Sequence, residues 1–386
     1  MPGPSRLPEG AAGAMTPALS VWLDLCRVIA ALAVYIGHAV YLKVAPAAFS
    51  LTWHRSADDA VIAFFVISGL VIAHTTRDHL GAGGRYALAR LSRVYSVALP
   101  AVLLALAVDL IGMRLNPALY APDWQYPKLW FYLPFHWLFL GETWFGAIQP
   151  FSMAPYWSLG YEVWYYVLFG VALFLRGPLR WVAVIAVLIV MGPRILLLLP
   201  VWLLGVWLLR RLPDLRLGPW AARALMGLAV VAYPVFFLSG LRDLTDEASR
   251  RVYAGFSAVL PRAFDPGSTV HVLSDYGVAL IFAVFVIGCA RCEWDFGAAG
   301  ARWIKRLAGF TFSFYLIHFT LLVFAGALGI VQPGWGLSGA VLLAVLAVTW
   351  ALAQVGELRR DWYRARLLGL WQAWAWWRRD RPRAGA

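Results

Sequence analysis

Residues 19–42, LSVWLDLCRVIAALAVYIGHAVYL, carry Asp24, Arg27 and His38 in an otherwise apolar run. At 1.5 Å per residue a helix of this length is about 36 Å long, enough to cross a hydrocarbon core with some tilt. Ionisable groups cost several kcal/mol inside a bilayer, so such residues face a protein interior or a wet cavity and commonly act there. Arg27 and His38 are eleven residues apart, a rotation that leaves them about 20° from each other on one helix face, three turns apart. Histidine suits proton transfer near neutral pH, so His38 could deprotonate an alcohol. Arg27 could hold an anionic or carbonyl oxygen deeper in the same cavity. The plainer reading is a hydrogen-bonded structural His and an Arg27 paired with Asp24 at i−3.

Four further groups could do chemistry. Ser68-Gly69 closes FFVISG in a second apolar run, where a small-residue step also serves close helix packing. Arg90 and Arg93 match phosphate oxygens with their forked donors, or simply fix topology. Glu162 lies in WSLGYEVWYY beside Trp157 and Tyr166, at the outer part of a span where an acid needs a partner. At that depth it could orient His38 or bind a substrate hydroxyl. His318 ends SFYLIH among aromatic residues, a setting that is often structural.

The elements that must position these groups are membrane helices. The 386 residues are 62% hydrophobic and only 14% charged, the composition of a polytopic membrane protein. The net charge of +13 fits basic cytoplasmic loops better than a nucleic-acid partner. Residues 1–18 lack the basic start and apolar run of a cleaved signal and read as a cytoplasmic tail. Cys26, Cys289 and Cys292 give no disulfide framework, and the Cys289-Ala-Arg-Cys292 spacing lacks a second ligand pair, so no metal is expected.

Hydropathy and the positive-inside rule predict an all-α bundle of about ten spanning helices, with both termini cytoplasmic. The spans are residues 19–42, 57–76, 94–111, 155–175, 181–191, 195–209, 220–240, 271–290, 307–329 and 335–355. The Arg-rich stretch 77–93 is a cytoplasmic loop in this reading. Residues 128–142 are too short and too aromatic to cross, and suit an interfacial or re-entrant segment. Residues 241–270 form a polar outer loop. The transmembrane domain spans residues 19–355, and the Arg- and Trp-rich residues 356–386 form an amphipathic tail on the anionic lipid of the cytoplasmic leaflet. No internal repeat is visible.

In order along the chain, LDLCR followed by His38 as Arg-x10-His, FFVISG, Arg90-x-x-Arg93, WSLxxE with Tyr166, and SFYLxH resemble the acyltransferase-3 family of membrane proteins that acylate carbohydrates. The family's usual Gly-Val-Asp is replaced here by Asp58-Asp59 before Ala-Val-Ile, and a carboxy-terminal esterase-like domain found in many relatives has no counterpart in these 386 residues. The resemblance implies an acyl-CoA donor, acetyl-CoA or another short acyl, and a carbohydrate hydroxyl as acceptor. It implies catalytic roles for His38, Glu162 and Arg27, and donor binding by Arg90, Arg93 and Ser68. Substrate contacts then fall to Asp24, Trp157, Tyr166 and His318, and the location to a bacterial inner membrane. The competing classes are a transporter or flippase of lipid-linked sugar and a polymerase-like glycosyltransferase. The first would show paired half-length segments and the second a large charged outer loop.

Overall fold

Thr16 starts the first helix by accepting a hydrogen bond from the Leu19 amide (3.1 Å), with Pro17 at the first helical position. That pairing satisfies an orphan donor and presets the backbone angle. In the computed structural model, residues 15–46, 48, 53–77, 83–120, 128–144, 146–259 and 266–379 are described. Most of the 1–18 tail and the end of the 356–386 tail lie outside them. The described residues form helices α1 (Pro17–Tyr41), α2 (Trp53–Thr76), α3 (Gly83–Leu115), α4 (Leu129–Trp137), α5 (Tyr156–Phe174), α6 (Gly177–Arg211) and α7 (Pro219–Leu238). They continue with α8 (Leu241–Val259), α9 (Val272–Arg291), α10 (Gly297–Ala308), α11 (Thr311–Ala327), α12 (Trp335–Val355) and α13 (Arg360–Arg379).

The described residues are all-helical, and the protein is a multi-pass membrane protein. Among the described residues, seven helices are long and apolar enough to cross, and α10 with α11, bent by 47° at their junction, make an eighth candidate. Helix α5 is not among them, because Glu162 and its Trp and Tyr residues lower its hydropathy. The nine residues of α4 give about 13 Å of helix, too short to cross.

Two expectations are corrected. The Arg-rich stretch is not a loop along its whole length, because α3 begins at Gly83 and carries Arg85, Arg90 and Arg93 in its first turns. Its 33 residues reach about 50 Å, well beyond a hydrocarbon core. Likewise residues 241–259 are helix α8 rather than polar loop. Arg242 on α8 is buried and bonds Asp59 of α2 at 2.6 Å, and the Tyr233 hydroxyl donates to the same carboxylate oxygen at 2.6 Å.

Two glycine sites set how the helices around the site meet. Gly192 interrupts α6 with φ +72°, a conformation that favours glycine, and an added Cβ would lie 2.6 Å from the Trp144 backbone nitrogen. The two halves of α6 meet at this break. At Gly69 of α2 a Cβ would come within 2.0 Å of the Trp202 carbonyl of α6, and at Gly205 of α6 within 2.0 Å of the Val66 carbonyl. Small residues on both partners therefore let α2 and α6 touch backbone to backbone.

Candidate active site

Helix α1 serves two cavities rather than one. Arg27 and Asp24 border a larger cavity of about 300 Å³, whereas His38, higher on the same helix, borders a smaller chamber of about 170 Å³. Eleven residues of helical rise put the two side chains' attachment points about 16 Å apart along the axis. Among the described residues, Val61 of α2 and Tyr315 of α11 are the two that line both spaces.

The larger cavity is a cationic one. Arg27, Arg90, Arg93, Lys305 and Arg360 line it, brought from α1, α3, α10 and the start of α13. Three acids share the lining, and each has partners. Asp24 bridges Arg27 at 3.0 Å, as the plainer reading of that pair expects, and a Glu357 oxygen accepts the Ser313 amide hydrogen at 2.9 Å. Glu162 accepts from Ser68 Oγ at 2.5 Å and from the Tyr166 hydroxyl on the same oxygen. Trp202 Nε1 in turn donates to Ser68 Oγ at 3.2 Å, so the close α2–α6 packing holds Ser68 in place. The Arg90 guanidinium lies 5.7 Å from the centre of the Tyr166 ring, and its buried Nε carries no hydrogen bond. Arg93 lies 5.9 Å from the Phe312 ring centre. Aromatic faces stabilise such cations without consuming their N–H donors. The cavity thus offers forked donors and an apolar inner wall, suited to a phosphorylated molecule with an extended uncharged arm.

The smaller chamber holds neutral chemistry. His38 Nδ1 lies 2.8 Å from His318 Nε2, and His318 Nδ1 lies 3.0 Å from the Phe314 carbonyl oxygen. A carbonyl can only accept, so in the neutral pair His318 carries its hydrogen on Nδ1 and presents a lone pair at Nε2. His38 must then donate from Nδ1, which leaves Nε2 of His38 as the basic nitrogen. This is the orienting logic of a catalytic triad, with a carbonyl-anchored histidine in the third position. The His38 ring is nearly parallel to His318 (15°), and Phe319 closes on it edge-on at 5.0 Å. Asp58, Gln149 and Trp157 also line this chamber. Gln149 is held from behind: its Nε2 donates to Glu142 Oε1 at 2.8 Å, and buried Arg194 lies 3.5 Å from the other Glu142 oxygen.

The structure therefore divides the residues singled out in the sequence. Arg27, Asp24, Ser68, Arg90, Arg93, Glu162 and Tyr166 come together around the larger cavity. His38 and Trp157 line the smaller one, and His318 stands behind His38. Glu162 is not the partner that orients His38: four residues below Ser158 on α5, it is held by Ser68 and Tyr166, and His318 takes that place instead. Lys305, Glu357 and Arg360 join the lining of the larger cavity from outside every sequence motif. Gln149, Glu142 and Arg194 sit in segments with no motif, and only the cost of burying Glu142 and Arg194 could have marked them.

Comparison with known proteins bears on which chemistry this arrangement performs. The acyltransferase-domain model of the acyltransferase-3 family matches residues 20–354. No curated protein and no solved structure matches the chain.

Proposed function

The chain belongs to the acyltransferase-3 family, and from that premise we propose that it transfers a short acyl group from acyl-CoA to a carbohydrate hydroxyl across a bacterial inner membrane. The observation that carries this reading is the pair of cavities, one rich in guanidinium groups and one built on an imidazole, meeting at Val61 and Tyr315. Ten crossings complete the proposal. They count α5 as a span and the two halves of α6 as separate crossings turning at Gly192, which puts the Arg90 and Arg93 end in the cytoplasm together with both termini.

Arg90, Arg93, Lys305 and Arg27 take the phosphates and pyrophosphate of the donor at the cytoplasmic mouth. The pantetheine arm extends inward along the apolar wall, and its reach matches the roughly 16 Å from Arg27 to His38. CoA stays on its own side while the acyl carbon arrives beside His38. The Nε2 nitrogen of His38 removes the acceptor hydroxyl proton, the oxygen attacks the thioester carbonyl, and the tetrahedral intermediate expels CoA thiolate. His38 then returns the proton to sulfur, so an ester and free CoA are the balanced products. His318 holds His38 in the tautomer that leaves Nε2 basic. Glu162, fixed by Ser68 and Tyr166, keeps the wall of the donor cavity polar and Arg90 and Arg93 in register. Trp157 offers a stacking face and Gln149 an amide to the acceptor in the outer chamber, and Asp58 lines the same space.

Incubation of the purified full-length protein with radiolabelled acetyl-CoA and envelope glycan tests this. Release of free CoA together with label in the glycan is the expected result. A folded protein that moves glycan across vesicles without consuming acyl-CoA would overturn it in favour of a flippase.

A further inference from the structure

We infer that Tyr315 sets the length of the acyl chain that this protein transfers. The inference rests on the acyl-CoA reading above and adds a specificity-determining residue to it. Tyr315 and Val61 are the shared wall of the two cavities among the described residues. In this proposal an acyl group entering from the cationic side reaches His38 past the wall that Tyr315 and Val61 share.

The ring is anchored across the passage. Ser158 Oγ donates to the Pro155 carbonyl at 3.1 Å, so the Tyr315 hydroxyl, 2.8 Å away, donates to Ser158. Phe64 backs the ring from the donor side at 5.6 Å, and His318 stands behind it at 6.2 Å on the other. Helix α11 therefore holds the barrier and the positioning histidine three residues apart on one face. A single neutral hydrogen bond of this kind holds the ring in place and is weak enough to yield to a bound thioester.

Beyond the barrier the space is small. The His38 chamber holds about 170 Å³, below the roughly 300 Å³ at which drug-sized ligand pockets begin. The carbon chain of the acyl group must share it with the acceptor hydroxyl. Acetyl fits beside an acceptor; each added methylene competes for the same volume. Discrimination of about 10- to 200-fold per methylene is the range such apolar limits supply. Removing the Tyr315 ring merges the chambers and lifts the limit, whereas removing only its hydroxyl keeps the ring as barrier.

The test uses full-length wild-type protein and variants in lipid nanodiscs, with free CoA released from acetyl-, butyryl-, hexanoyl- and octanoyl-CoA as the readout. In Tyr315→Ala the ratio of hexanoyl to acetyl kcat/KM is expected to rise at least about tenfold over wild type. Tyr315→Phe should retain the wild-type chain-length profile. Val61→Ala, a gentler change in the same wall, should shift the profile in the direction of Tyr315→Ala and keeps the test available if that variant does not fold. From an active wild type, an unchanged profile in a folded Tyr315→Ala, or in Val61→Ala where Tyr315→Ala does not fold, overturns the assignment alone. A folded wild type that releases no CoA from any of the four donors overturns the acyl-CoA reading with it.

Discussion

The two cavities solve opposite problems with opposite means. The larger one gathers five cations, two of them, Arg90 and Arg93, against aromatic rings, and gives each acid in its lining a partner, Asp24 pairing with Arg27 itself. The smaller one puts its reactive nitrogen at the end of a chain of neutral hydrogen bonds, from the Phe314 carbonyl through His318 to His38. Recognition by charge tolerates loose geometry and weakens with salt. Proton transfer needs one nitrogen, in one tautomer, at one place. In the proposed reaction, separating them lets a charged carrier be held without bringing its charge to the reacting atoms.

The sharpest way to break this division is at His38. His38→Ala and His38→Gln should each lower kcat by roughly 10²- to 10⁴-fold, with the KM for acyl-CoA essentially unchanged. Near-normal turnover in both variants would remove the base assignment. His318→Ala should act through His38, with kcat falling by on the order of 10²-fold because the ring loses its position rather than its chemistry. His318→Gln, whose carbonyl oxygen can accept the His38 hydrogen, should recover part of that loss; equal loss in both would make His318 merely structural.

At the other cavity the signature is inverted. Arg90→Ala or Arg93→Ala should raise the acyl-CoA KM about tenfold at low salt, the equivalent of one charge-assisted hydrogen bond of about 1.5 kcal/mol, and leave kcat nearly constant. The difference from wild type should shrink as ionic strength rises. A KM that is the same in variant and wild type at every salt concentration returns both arginines to topology. The smallest effect expected is at Gln149, where Gln149→Ala should raise the acceptor KM about fivefold, the loss of about 1 kcal/mol, with the donor KM unmoved.

Much of this was legible in the sequence where the signal is local. The shared face of Arg27 and His38 follows from helical periodicity, and Ser68-Gly69 carries both meanings at once, Gly69 packing against α6 while Ser68 faces the cavity. The Gly192-Pro193-Arg194 break is also visible, because glycine there supplies the positive φ that the turn needs. What is not local lies beyond the reach of spacing and composition. Glu162 and His38 reach similar depth on a topology diagram, but on α5 it is Trp157 that lines the His38 chamber, and Glu162, five residues and about 7.5 Å of helical rise further on, lines the larger cavity. His318 meets His38 across 280 residues of chain, a pairing that no spacing rule encodes. Positive charge in residues 77–93 marks a cytoplasmic segment without saying that it is a loop, and because Arg, Ala and Leu are good helix formers α3 runs through Arg85, Arg90 and Arg93. Arg194 and Glu142 are buried partners from segments without a motif, legible only after the fold brings them together.

The separation of the two cavities predicts a sided reaction, and the most direct measurement is transfer across a sealed membrane. Full-length protein is reconstituted in one orientation, with radiolabelled acetyl-CoA on one face and envelope glycan on the other. Labelled glycan should form when acetyl-CoA bathes the face that carries Arg90, Arg93 and Lys305 and the glycan lies on the opposite face. Labelling of comparable rate with donor and glycan exchanged, or with both on the same face, would contradict the account.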